Sequence, residues 1–211
     1  LCRSLPEFQP EELIRLVWSG TRAMVRNDGS RTNREAFAET FSRESGMDYF
    51  SHEERFLQYY RTEFQRCAEV CPISGLSREI VHTLQGKGYT VAIATNPIFP
   101  AVATESRIRW AGLAPETFAW YTTYENIGYC KPNPDYYREI LRYLGCRAED
   151  CLMVGNDVEE DMMAAQAAGL SVFLLTDCLL NRKEKDISSY PQGDFDALLA
   201  FVEEWGGEAS L

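Results

Sequence analysis

The sequence is poor in lysine and histidine. Only Lys87, Lys131, Lys183 and Lys185 carry an ammonium, and His52 and His82 are the only imidazoles among 211 residues. Two histidines without a second cysteine pair make no zinc site, although Cys67 and Cys71 stand one helical turn apart. That spacing is expected of two buried thiols. The seven cysteines are scattered and odd in number, which excludes a disulfide framework and points to a reducing cytoplasm. No apolar run approaches the roughly 20 residues that span a bilayer, so no membrane partner is expected. The first residues, Leu1-Cys2-Arg3-Ser4-Leu5-Pro6, lack the apolar stretch of a signal peptide. No glycine-rich dinucleotide fingerprint follows any strand candidate.

Charge of one sign is also short. Lys plus Arg number 21 against 32 Asp plus Glu, a formal charge of −11. A pI near 4.7 disfavours nucleic acid or anionic lipid as a main partner, because phosphate backbones attract Lys and Arg. A bound phosphate would need a local cation or a metal. Otherwise 45% apolar and 25% charged residues describe an ordinary globular chain.

The chain reads in two parts. Residues 1–72 look wholly helical. Pro10-Glu11-Glu12 opens a first helix, Thr32-Asn33-Arg34-Glu35 has the form of a capping box, and a third helix spans about 49–64. Arg22, Arg26 and Asn27 lie near the end of the first helix. From 73 to 211 short apolar strands at 89–94, 118–122, 151–154 and 171–175 alternate with helices at 76–85, 99–111, 135–144, 159–168 and 195–205. This pattern predicts an α/β fold with a Rossmann-like parallel sheet flanked by helices.

Ligands bind beyond the carboxyl ends of such strands. Three polar groups fall there. Thr95-Asn96-Pro97 offers a hydroxyl and backbone N–H groups to an oxyanion. Lys131 sits in the turn Cys130-Lys131-Pro132-Asn133-Pro134, where an ammonium could be held rigidly. Gly155-Asn156-Asp157 ends the third strand, with Asp161 one helical turn on; their hard oxygens suit Mg2+.

In this order the three groups resemble the haloacid dehalogenase-like hydrolase superfamily, over about residues 73–176. Ala164-Ala165-Gln166-Ala167-Ala168-Gly169 fits its small-residue helix. Residues 1–72 resemble, more loosely, the helical cap of its phosphatases. The resemblance implies that Thr95 and the Asn96 N–H hold the phosphoryl group and that Lys131 neutralises its charge. It implies that Asp157, with Asn156 beside it, binds Mg2+, and that Asp161 orients Lys131 or a metal-bound water. The implied substrate is a small phosphorylated metabolite, chosen by the cap, with Arg22, Arg26 and Asn27 as candidate contacts.

The family's nucleophile lies in an Asp-x-Asp motif at the end of a first, central strand. It attacks phosphorus to give an aspartyl-phosphate. The one Asp-x-Asp here, Asp194-Phe195-Asp196, follows no apolar strand and reads as a helix cap. The expectation is that about forty residues carrying the motif precede Leu1 or come from another chain. The alternatives are a catalytically inactive binding or regulatory member and a metal-free 2-haloacid dehalogenase.

Overall fold

The computed structural model describes residues 1–71, 73 and 75–205. Pro72, beside the expected boundary, lies outside them. In chain order the elements are α1 (Pro10–Val25), α2 (Asn33–Ser45), α3 (Tyr49–Arg61), α4 (Gly75–Gly86), β1 (Ala92–Ile93), α5 (Ala101–Trp110), β2 (Trp120–Tyr121), α6 (Pro134–Leu144), β3 (Leu152–Gly155), α7 (Ala164–Ala167), β4 (Ser171–Leu175), β5 (Gln192–Gly193) and α8 (Phe195–Glu204).

Local chemistry explains most helix starts. Pro10 opens α1, where its missing N–H costs nothing. Thr32 and Glu35 close the expected capping box on α2, and Gly46 ends that helix at φ 73°. Asn133 accepts from the Asp135 N–H ahead of α6, which Gly145 terminates. The Asp194 carboxylate accepts from the Ala197 N–H at 2.9 Å, the cap read from sequence.

The chain divides into two compact units. The first comprises Leu1–Ile73, Ile93–Pro115 and Tyr121–Cys130. Its core gathers Leu13, Leu16 and Met24 of α1, Phe37 and Phe41 of α2, and Tyr49 and Phe56 of α3. Gly20 lets α1 approach α2, since a Cβ there would meet the Phe37 ring at 2.5 Å. The later segments join this unit through aromatic contacts. Phe99 meets Tyr60 and Phe64, with ring centroids 6.2 Å apart in both pairs. The Tyr124 hydroxyl lies 3.1 Å from that of Tyr49. The helix expected to reach 64 stops at Arg61 and passes into a 3-10 helix over Glu63–Val70. Cys67, within that turn, and Cys71, just after it, are exposed free thiols, contrary to the expected burial, because the covered side of the turn carries Phe64, against Phe99 and Trp110, and not the cysteines.

The second unit comprises Ser74–Ala92, Glu116–Trp120 and Lys131–Leu211. Its sheet has the order β3-β4-β5 and is parallel, with Leu152 opposite Ser171 and Leu174 opposite Gln192. Ile80 of α4, Phe173 of β4, and Leu198 and Val202 of α8 form its buried core. Lys87 caps α8, donating to the carbonyls of Val202 at 2.8 Å and Trp205 at 2.7 Å.

The strands expected at 89–94 and 118–122 shrink to two residues each. They pair with one another, and among the described residues no strand joins them to β3-β4-β5. A ladder extends only as far as its partner does. β5 was not expected, since Gln192-Gly193 has no apolar pattern; its pairing to β4 makes it a strand.

Candidate functional site: the end of the third strand

Lys131, Asn156, Asp157 and Asp161 come together in the second unit. Lys131 follows the first unit's last segment and leads into α6, through a cis bond to Pro132. Its ammonium donates to Asp161 Oδ1 at 2.6 Å, with both residues buried. It also lies 5.6 Å from the ring centres of Tyr136 and Tyr137.

Asp161 is placed by an irregularity. The segment expected as a plain helix over 159–168 begins instead as a π-helical turn, Val158–Met163, before α7. The wider turn directs the Asp161 carboxylate back onto the strand end. There Oδ2 accepts the backbone N–H groups of Asn156 and Asp157, both at 3.0 Å. Gly155 is required beneath it, because a Cβ would sit 2.3 Å from Asp161 Oδ2. π turns of this kind recur where side chains must be aimed at a site.

Asp157 caps the same turn. Its Oδ1 accepts from the N–H groups of Glu159 at 3.0 Å and Glu160 at 2.9 Å. Its Oδ2 accepts from Arg182 Nη1 at 2.7 Å. Burial opposes its charge, but the Glu160 N–H, the Arg182 guanidinium and the Glu159 N–H outweigh it and hold the carboxyl below its ordinary value. Glu160 is pushed upward by burial and by the Asp157 charge. The Tyr137 hydroxyl donates to the Glu160 carbonyl at 3.0 Å and, through burial first, is displaced upward. Asn156 donates its side-chain amide to the Cys178 carbonyl at 2.5 Å.

Thr95 and Asn96 belong to the first unit. The Thr122 hydroxyl donates to the Thr95 carbonyl at 2.6 Å, and the Ile98 N–H to the Asn96 carbonyl at 2.9 Å. Arg26 and Asn27 border a cavity of about 220 Å³ in that unit, together with Arg31, Thr40 and Arg43. Arg22 stands in the last turn of α1.

The oxygens are of the hard kind that Mg2+ prefers. Their arrangement does not fit the ion. Asp161 is spent on Lys131 and two amides, Asp157 Oδ1 on the turn, and Asp157 Oδ2 on Arg182. Among the described residues no three His, Cys, Asp or Glu side chains converge as a metal site. Arg182 is the residue that sequence reasoning missed. A signal existed, for Arg182, Lys183 and Lys185 cluster just beyond the fourth strand in a chain of four lysines.

A sequence profile described as haloacid dehalogenase-like hydrolase matches residues 3–175. A curated relative, glyceraldehyde 3-phosphate phosphatase of Methanothermobacter thermautotrophicus, is 32% identical over 103 residues, which are 49% of this chain and 44% of the relative. The match thus spans less than half the relative's length. Among solved structures, a 2-haloacid dehalogenase from Pseudomonas syringae pv. Tomato DC3000 aligns with TM-score 0.58 and 19% identity, over 95% of this chain and 83% of its own. A predicted phosphoglycolate phosphatase from Haemophilus somnus 129pt aligns with TM-score 0.52 and 18% identity, over 90% and 92%. At these identities the structures show a shared fold, the Rossmann-like α/β arrangement expected from the sequence.

Proposed function

The chain belongs to the haloacid dehalogenase-like hydrolase family, and on that premise we propose that it is a phosphatase of a small phosphorylated metabolite. The buried Lys131–Asp161 pair supports this reading most directly. A buried ammonium is costly unless matched, and this one is fixed by a carboxylate that two backbone amides hold in turn. Such a group can offset phosphoryl charge without reorganising. In the same proposal the Thr95 hydroxyl and the Asn96 N–H bind phosphoryl oxygens. Asp157, Asn156 and Asp161 were the expected Mg2+ residues, and Mg2+ remains the expected cofactor. The described residues do not complete its site, so the reading stands on Lys131 and not on the ion. The name of the curated relative supports a phosphate ester as substrate and puts glyceraldehyde 3-phosphate first among compounds to try.

The test is phosphate release from a panel of phosphate monoesters by the protein expressed from its complete reading frame, with Mg2+ and with excess EDTA. Release that disappears in Lys131→Ala and in EDTA is expected. Halide release from 2-haloacids in EDTA, with no phosphate release, would replace this reading with a dehalogenase. Ligand binding without turnover of either kind would replace it with a binding protein.

A further inference from the structure

We propose that Arg182 is the resident counter-cation of Asp157, and that a divalent cation reaches this carboxylate only by displacing it. The inference rests on the reading of Asp157 as a metal-binding residue, and it explains why the oxygens above do not fit an ion as they stand.

The two side chains are unequally placed. The Asp157 side chain is 9% exposed, whereas that of Arg182 is 62% exposed. A guanidinium thus reaches inward from solvent to close a nearly buried carboxylate. Of the two Asp157 oxygens only Oδ2 is free of the turn's amides, and Oδ2 is the one that Arg182 holds, at 2.7 Å.

The backbone brings the arginine there. The Leu180 N–H donates to the Asn156 carbonyl at 2.8 Å, and the Val158 N–H to the Leu180 carbonyl at 3.0 Å. The Asn156 amide donates to the Cys178 carbonyl, and Lys183 pairs with Glu159 at 2.6 Å. Residues 178–183 therefore form a strap tied along the strand end, with Arg182 over the carboxylate. A divalent ion and a guanidinium cannot share one oxygen at contact distance, because like charges a few ångströms apart in a partly dry site repel strongly. Occupancy is a competition, and the strap sets its terms. Arginine suits this role, being charged at every accessible pH and weakly hydrated.

Isothermal titration of the full chain with MgCl2 tests this without an activity assay. Arg182→Gln is expected to bind Mg2+ about ten-fold more tightly than the natural chain, and Arg182→Lys, which keeps the charge, within about two-fold of it. Circular dichroism checks that each variant is folded. Equal affinity in the natural chain and Arg182→Gln, with binding lost in Asp157→Asn, would overturn the competition while leaving Asp157 a metal ligand. Binding that survives in Asp157→Asn, or is absent from both the natural chain and Arg182→Gln, would overturn the metal reading itself and the competition with it. Tightening in Arg182→Lys equal to that in Arg182→Gln would overturn charge as the cause.

Discussion

Lys131 and Asp161 form a buried ion pair 2.6 Å long, thirty residues apart in sequence. The carboxylate's second oxygen is satisfied by the backbone at Asn156 and Asp157, so the pair joins the turn before α6 to the end of β3. A buried pair of this kind adds little net stability by itself, but losing one partner leaves an unmatched charge in a dry place.

Lys131→Met should therefore destabilise the fold by about 3 kcal/mol, because it leaves the buried Asp161 carboxyl without its partner. Urea unfolding measures this. Adding Asp161→Asn should restore part of the loss, since a neutral amide needs no counter-ion. A single-variant loss too small to shift the urea midpoint would mean that water reaches Asp161.

Gly155→Ala tests the space beneath the same carboxylate. The added Cβ would lie 2.3 Å from Asp161 Oδ2 and 2.5 Å from its Cβ, so Asp161 must move and loosen its hold on Lys131. Overpacking of this degree costs about 1–3 kcal/mol. The expected signature is a lowered Tm together with loss of any phosphatase activity, whereas Gly86→Ala, where nothing lies within 4 Å, should leave activity unchanged.

In the first unit, Arg34 donates to Glu53 Oε1 through Nε at 2.7 Å, and the Tyr124 hydroxyl donates to the same oxygen at 3.0 Å. The Arg34 hydrogen bond, against the opposing effect of burial, holds Glu53 below its ordinary value. A carboxyl depressed in the folded state stabilises above its unfolded pKa and loses that contribution as pH falls through the folded value. The stability difference between the natural chain and Glu53→Gln should thus be constant near neutrality. It should shrink as pH drops below about 4.3, the ordinary glutamate value. Urea midpoints measured across that range check it, and a pH-independent difference would refute the assignment.

Phe41 is fully buried against Phe37, Tyr49 and Phe56, its ring centroid 5.3 Å from that of Phe56. Phe41→Ala should cost about 3–5 kcal/mol through lost burial and the cavity left behind. Val70→Ala, at a largely exposed position, should change stability by less than about 0.5 kcal/mol. Comparable losses at the two positions would contradict the core described.

The sequence by itself determined what neighbouring residues decide among themselves. Thr32 with Glu35, Pro10, Asn133 and Asp194 mark helix starts because a cap acts within three or four residues. The strand at 171–175 was legible from its apolar run. The order Thr95, Lys131, Asn156-Asp157 and Asp161 carried the family, and it was readable because each motif is a short run of adjacent residues and the runs follow one another in a fixed order. Tertiary structure decided the rest. Gln192-Gly193 is a strand only because β4 offers it a ladder, and 89–94 is mostly not one because its partner is two residues long. The π turn exists where the Asp161 carboxylate can reach the amides of Asn156 and Asp157. Arg182 meets Asp157 because backbone hydrogen bonds at Leu180 lay residues 178–183 along the strand end. Ion pairs between residues 25 or 30 apart depend on where the chain returns, and local propensity carries no record of that.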